Sequence, residues 1–392
     1  MAWWGLRHIE SDAAYFAWQR EVFTPQELDT LHRSIEAKRA APHGSAADIA
    51  FYDLTARPQS VPALYSQRYE YYLEVGSRIA GRLEGADTIL DIGCGIGLLT
   101  TFYATHCPGA TVVGLDRSPA SIALARHRAQ DLGLTNVRFD CVDLDRHHPV
   151  GRFDVIVATH VLLQAEQDPG LPSSDWQSFA RAADAQAQQA FEQRTGVGPR
   201  LDRLCGALGS QGRLLVFEKA RQLARRIPLQ RALAARGLGL LAPPEPIRYR
   251  SIEETTEDGP LFVTGCAFPS QVLPWDESPE PDGLPPLRVG QLRSVPVDPD
   301  QPLYENHGPS AQQAWLDLPA KQVVNQVTKK EADGRQLHVE WGWAGAFVYL
   351  YCANTFDQRQ LVVIEPARAA LVETYYQEIA GHQPGGGRDV VQ

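Results

Sequence analysis

The side chains best placed to do chemistry lie in and just after one short stretch, Thr88–Thr100, TILDIGCGIGLLT. Asp91 stands just ahead of glycines at 93, 95 and 97, and Asp116 ends the next apolar run, VVGLD. Glycines there let a ligand approach the backbone closely, and the helical pattern from Leu98 aims N-terminal amides at it. Asp116 could accept both hydroxyls of a ribose. The pattern predicts an adenosine-containing ligand. A dinucleotide fingerprint, GxGxxG, would put its third glycine at 98, where Leu98 stands. A carboxylate at Asp91 suits a cationic ligand, such as an ammonium next to a sulfonium, and repels a pyrophosphate. No GxxxxGK[ST] occurs, so a P-loop is not indicated.

These residues need an alternating scaffold to hold them. Apolar runs at Thr88–Ile92, Thr111–Leu115, Val137–Cys141, Asp154–Ala158 and Arg213–Phe217 alternate with helical patterns. Such alternation predicts a parallel sheet with helices on both faces. Ile247–Glu254 and Pro260–Phe268 flank TTEDG and read as a hairpin. Ser118-Pro119 reads as a helix cap, and Thr24-Pro25-Gln26-Glu27 as a capping box opening a helix to Ala40. After a break at Pro42–Ser45, one helix is expected from Pro62 to Leu83, with Tyr65, Tyr69 and Tyr72 on a single face.

Five segments in order resemble the class I S-adenosylmethionine-dependent methyltransferases across Ala63–Phe268: DIGCGIG, VVGLD, VRFDCVDLD, FDVIVATHVLL and LCGALGSQGRLLVFEKA. The resemblance implies a Rossmann-like, seven-stranded, mostly parallel α/β sheet. It implies S-adenosyl-L-methionine as cofactor and S-adenosyl-L-homocysteine as product. The residues it places at the cofactor are Asp91, Gly93, Cys94, Gly95, Gly97, Asp116 and Arg117, then Asp143 for the adenine amino group, Leu144 at the ring edge, and Thr159. Tyr65, with Arg68 and Tyr69, is a candidate lid contact. Cys94 reads as a small residue tolerated in the loop rather than a nucleophile.

Around this core the expected organisation is an N-terminal helical segment, 1–60, and a core, 61–268, carrying an insertion at 164–203. A proline-rich connector, 269–319, and a small β-rich α+β unit, 320–392, follow. That last unit is expected to contain a hairpin around Asp333-Gly334, a helix over Pro366–Ala380 and a disordered tail. Asp175–Arg194 in the insertion looks helical and is expected to wall the acceptor pocket, since ligands of open α/β sheets sit beyond the strands' carboxyl ends.

Methyl transfer requires an acceptor lone pair held opposite the sulfonium and water excluded. It requires no metal, and no His/carboxylate cluster has ligand spacing. A weakly acidic acceptor also needs a base. His160, directly after the fourth strand, is the first candidate, and Glu218, after the fifth, the second. His147 and His148 read as solvated. No NPPY-type motif follows the fourth strand, which speaks against planar amino groups of nucleic acids as acceptors.

Composition fits this reading. The 392 residues are 44% hydrophobic and 21% charged, with a net charge of −10 that argues against bulk nucleic-acid binding. Arg221, Arg225, Arg226 and Arg231 form a local exception, read as a solvated helix face or an anion contact. Six scattered cysteines fit a reducing compartment. No apolar run is long enough to span a membrane, and Trp3, Trp4, Arg7 and His8 lack a signal-peptide layout, so a cytoplasmic location is expected. The first expectation for function is methyl transfer to an oxygen or nitrogen of a small metabolite or natural-product intermediate. A peptide or protein acceptor recruited by the C-terminal unit is the alternative, a non-catalytic scaffold the third reading, and a nicotinamide enzyme a distant fourth. A homodimer is left open.

Overall fold

The computed structural model describes residues 4–41, 45–163, 168–266, 272–288, 290, 292, 301–331 and 335–381. Trp3, the break from Pro42, the first residues of the insertion, Phe268 and Pro269, the Asp333-Gly334 turn and the C-terminal tail lie outside the described residues. The chain forms two compact units, one drawn from Met1–Asp168, Gln186–Arg221 and Leu229–Trp275, the other from Pro169–Ala185, Gln222–Pro228 and Asp276–Gln392.

The first unit opens with α1 (Asp12–Val22), α2 (Pro25–Ala40) and α3 (Ala46–Thr55). The capping box forms as expected: Thr24 N donates to Glu27 Oε2 at 2.8 Å, and Glu27 N to Thr24 Oγ1 at 3.3 Å. Where one helix is expected from Pro62 to Leu83, the chain makes α4 (Ser60–Tyr65), a 3₁₀ turn at Ser66–Arg68, and α5 (Tyr69–Ala80). The tighter turn shifts the register and splits the tyrosine stripe. Tyr65 and Tyr72 face a cavity, whereas Tyr69 packs edge-on against His8 at 5.6 Å.

The sheet follows: β1 (Thr88–Ile92), α6 (Leu98–His106), β2 (Thr111–Asp116), α7 (Pro119–Asp131), β3 (Val137–Cys141) and β4 (Phe153–Thr159). Then come α8 (Ala185–Thr195), α9 (Val197–Ala207), β5 (Leu208–Phe217), α10 (Leu223–Ala234), β6 (Gly239–Leu240), β7 (Glu245–Ser251) and β8 (Glu254–Gly265). Strands β3-β2-β1-β4-β5 are parallel in that order, and β8 closes the run antiparallel to β5. Val155, Ile156, Val157 and Ala158 of β4 are fully buried, as a central strand covered on both faces must be. The order reverses between β1 and β4, which makes the carboxyl ends of those strands the natural ligand crevice.

Two details differ from expectation. The sheet has eight strands rather than seven, because the two-residue β6 also pairs with β8. The hairpin turns at Ile252-Glu253, with Ile252 at φ +60°, and not at TTEDG. Thr255–Asp258 stay in the ladder opposite β7, so their polar side chains mark a strand rather than a turn.

The second unit is a five-stranded antiparallel sheet of order β10-β11-β12-β13-β9, built from β9 (Tyr304–Asn306), β10 (Lys321–Lys330), β11 (Gln336–Ala344), β12 (Phe347–Asn354) and β13 (Arg359–Ile364). It carries α11 (Ser310–Leu316) and, after a 3₁₀ turn at Pro366–Arg368, α12 (Ala369–Gly381). Both β9 and α11 fall in the stretch expected to be an extended connector. β9 pairs with β13, and Ala311 and Ala314 bury in the sheet's core cluster.

Among the described residues of the insertion, only Ala185–Thr195 and the start of Val197–Ala207 are helical. Trp176 stacks on His338 at 3.6 Å, and Phe179 lies under the Arg359 guanidinium at 4.5 Å. Trp176 therefore packs against the second unit's core cluster and Phe179 against Arg359, and neither lines the cavity where an acceptor wall was expected. Arg226, expected on a solvated or ligand-facing patch, is 4% exposed and pairs with Glu280. Among the described residues no helix is long and apolar enough to cross a membrane.

Candidate functional site

The glycine loop leaves β1 with Gly93, Gly95 and Gly97 at φ +69°, +52° and +76°, a region costly for side-chain-bearing residues. Their surroundings differ. A Cβ on Gly97 would lie 2.9 Å from Ala125 Cβ and 3.0 Å from Phe139 Cζ, so close helix–strand packing fixes that glycine. A Cβ on Gly93 would press on Val161 at 3.0 Å, whereas one on Gly95 meets nothing within 4 Å. Gly95 thus faces open space, which a ligand can fill.

The loop is tied to β2 by backbone amides: Gly93 N and Cys94 N donate to Leu115 O at 2.8 and 3.1 Å. Gly95 N donates to Asp116 Oδ2 at 2.9 Å, and Ser118 N to Asp116 Oδ1 at 2.8 Å. Each oxygen keeps acceptor capacity for a further donor. Burial pushes the Asp116 carboxyl up, and these amides oppose the shift. Asp91 is 3% exposed and takes the Thr100 hydroxyl at 2.5 Å; burial lifts its pKa to about 7. Burial also pushes the Cys94 thiol well above its ordinary value, which makes it a poor nucleophile.

Around this loop lies a cavity of about 230 Å³. Tyr65, Asp91, Gly93, Cys94, Gly95 and Asp116 line it, and so do Arg117, Asp143, Leu144, Thr159 and His160. Gly97 and Glu218 do not. At one end a charge chain crosses the lining: Arg117 pairs with Asp48 of α3 and lies 4.0 Å from Asp145, which takes Arg200 Nε at 2.6 Å. Asp53 of α3 accepts the Ser118 hydroxyl at 2.6 Å and Ala120 N at 3.2 Å, fastening the N-terminal helices to the start of α7. Asp143 Oδ1 accepts Asp145 N at 2.9 Å.

At the other end His160 leaves β4 at φ +54°, its ring between Tyr71 at 5.4 Å and Phe217 at 5.3 Å. Its Nδ1 sits 3.2 Å from Arg68 Nη2. A guanidinium only donates, so Nδ1 accepts, and the ring is neutral with its proton on Nε2. Burial first, then the charges of Arg68 and Lys219, hold its pKa well below the ordinary value. A ring whose free lone pair already binds a cation is a weak proton acceptor, so the general-base role expected of His160 is not supported. Glu218 is also corrected. It is 1% exposed, and its oxygens accept Val161 N, Leu162 N and Leu163 N at 2.8, 2.7 and 3.4 Å. It anchors the turn after β4 and touches no open space.

Sequence reasoning missed Tyr52, Tyr71, Tyr72 and Arg200 in the lining, and the Tyr249–Asp258 pair behind Arg68, joined at 2.5 Å. The tyrosine-rich run that pointed to Tyr65 also contains Tyr71 and Tyr72. Nothing local marks Arg200, Tyr249 or Asp258. No group of three or more His, Cys, Asp or Glu among the described residues is arranged to hold a metal ion.

Residues 83–216 match a family model described as a methyltransferase domain. The core is a class I S-adenosylmethionine-dependent methyltransferase domain. The methyltransferase core aligns with 2-heptyl-1-hydroxyquinolin-4(1H)-one methyltransferase of Mycobacteroides abscessus at 40% identity over 78 residues, 20% of this chain and 33% of that protein. Malonyl-[acyl-carrier protein] O-methyltransferase of Acetivibrio thermocellus is 28% identical over 101 residues, 24% of this chain and 35% of that protein. The chain thus spans about a third of the length of these curated relatives. Among solved structures, mitomycin 7-O-methyltransferase aligns at 18% identity over 61% of this chain and 66% of that one, with a TM-score of 0.36.

Proposed function

We propose that this chain moves the methyl group of S-adenosyl-L-methionine to an oxygen or nitrogen of a small metabolite or natural-product intermediate. One observation carries the reading: Gly95 faces a cavity that also presents Asp91, Asp116 and Asp143, three carboxylates at the carboxyl ends of adjacent strands. This donor set fits the cofactor. Asp116 would accept the ribose hydroxyls with its remaining lone pairs, Asp143 would meet the adenine amino group, and Asp91 would face the amino-acid ammonium. The absent Cβ at Gly95 leaves room for the chain between them. The chemistry the cofactor supplies when bound is a methyl carbon activated by positive sulfur.

The protein's own work is then positioning and exclusion of water. The rings of Tyr65, Tyr71 and Tyr72 close the cavity on the side of α4 and α5. Arg68 fixes the His160 ring, and Glu218 holds the backbone that follows it. With His160 committed to Arg68, the site favours an acceptor whose lone pair is available near neutral pH: an amine, or an oxygen that is already ionised. The proton of an amine acceptor leaves to solvent after transfer.

The deciding experiment is calorimetric titration of ligand-stripped protein with S-adenosylhomocysteine and, separately, NAD. Heat with the first and none with the second supports the reading; the reverse, or silence with both, removes it. A ligand at about a hundred times its dissociation constant also adds about 2.7 kcal/mol to stability, so a thermal scan reports the same answer.

A further inference from the structure

Two carboxylates follow β3, and both line the cavity: Asp143 and Asp145. In the reading above, Asp143 meets the adenine amino group. Its own support is the short turn in which it sits. Asp143 Oδ1 accepts Asp145 N at 2.9 Å, and Asp143 O accepts Arg146 N and His147 N at 3.1 and 2.9 Å. Val142 N donates to Asp116 O at 2.9 Å, which ties the start of the turn to the end of β2. The far end is held by a side chain from α9. Arg200 is 4% exposed, and its Nε and Nη2 donate to Asp145 Oδ1 and Oδ2 at 2.6 and 3.2 Å, a two-point fork.

Arg200 is itself fixed before any ligand arrives. Its Nη1 donates to Leu162 O, in the backbone after β4, at 3.0 Å and to Thr195 O, at the end of α8, at 3.3 Å. A Cβ on Gly196, at φ +71°, would lie 3.2 Å from Arg200 Nη2, so the corner between α8 and α9 closes on the guanidinium. Four of its five N–H groups thus go to protein oxygens. A cation so fully spent acts on a ligand through the groups it holds. Arg117 lies 4.0 Å from Asp145 and is itself paired with Asp48. Resting on the methyltransferase reading above, we propose that Arg200 is a positioning residue for adenine recognition: it holds Asp145, and through the Asp145 backbone amide it sets Asp143 where the purine amino group can donate to it.

The hydrogen bond at stake is directional. A carboxylate accepts from an amino group, but it faces a carbonyl oxygen, acceptor against acceptor, when hypoxanthine replaces adenine. The full chain is therefore titrated with S-adenosylhomocysteine and with S-inosylhomocysteine, and the ratio of the two affinities is the readout. Wild type should prefer the adenine ligand by about thirtyfold or more, the worth of one charge-assisted bond. In Arg200→Met the ratio should fall to about threefold or less, and Arg200→Lys, which keeps the charge but not the fork, should lie between. An unchanged ratio in Arg200→Met, even with both ligands weakened alike, makes this arginine a structural residue only and overturns the proposal.

Asp145→Asn tests the intermediate step, even if Arg200→Met proves too unstable to measure. It removes the partner charge and keeps the backbone amide, and it should lower the ratio by about fivefold or more. Combined with Arg200→Met it should lower the ratio no further than Arg200→Met alone, because both cut the same link. A normal ratio in Asp145→Asn, or losses that add, overturns the proposal. The wild-type titration separates this role from the reading it rests on. No heat with S-adenosylhomocysteine removes the methyltransferase reading and this proposal with it. Equal affinity for the two ligands leaves that reading in place and overturns the role of Arg200.

Discussion

Asp116 ends β2 and Glu218 follows β5, two carboxylates at matching places in one sheet, and the chain uses them in opposite ways. Asp116 takes backbone amides on both oxygens and keeps an edge on the cavity. Glu218 spends Oε1 on two amides and Oε2 on a third, and is closed off from solvent. A carboxylate has about four lone-pair sites. What separates a ligand anchor from a structural brace is whether the lone pairs left over by the backbone face open space. Both are carboxylates at the carboxyl end of a parallel strand.

The contrast is most exposed to failure at Glu218. Replacing it by alanine strips the acceptor from three buried amides and should cost about 3 kcal/mol or more of stability. Urea unfolding checks this, and an unchanged midpoint would mean that the brace is not one. Asp116→Ala should behave the other way. S-adenosylhomocysteine should bind about a hundredfold more weakly, the worth of charge-assisted bonds to two hydroxyls, while the unliganded midpoint moves little. A variant that binds normally but unfolds early would exchange the two roles.

The glycine-loop side of the cavity was legible in the sequence because its signals are local. The glycine spacing, the strand that must precede it and Asp116 all fall within one strand–loop–helix–strand unit, and the order of five such segments fixed the sheet. The side of the cavity at His160 depends on contacts that periodicity does not record. Arg68 meets His160 across 92 residues, and that contact turns a plausible base into a held ring. Trp176 and Phe179 sit at spacings that suit a helix face, yet their partners, His338 and Arg359, lie far downstream in the sequence. The hairpin was misplaced for a different reason. A β-branched residue at φ +60° is sterically unfavourable, so turn rules point away from Ile252 and toward TTEDG.

Asp91 sharpens the comparison, because it faces the cavity like Asp116 yet is as deeply buried as Glu218. Burial lifts its pKa to about 7, with Thr100 opposing the shift. An ammonium beside it favours the ionised form, so ligand binding near pH 6 should release a proton, and S-adenosylhomocysteine should bind up to about tenfold more tightly as pH rises through 7. Folding responds with the opposite sign. A folded-state pKa above the unfolded one means that the native protein holds a proton the unfolded chain has lost. Unliganded stability should therefore drift down from about pH 4 to about pH 7. Glu218, also lifted to about 7 by burial, adds to that drift. Asp91→Asn should flatten the affinity profile and leave the Glu218 part of the stability drift in place. Calorimetry at about pH 6 and about pH 8 in two buffers of different ionisation heat reads both affinity and proton release. Affinity that is flat with pH in the wild type would put the ammonium out of reach of Asp91 and leave Asp116 as the carboxylate that anchors the ligand.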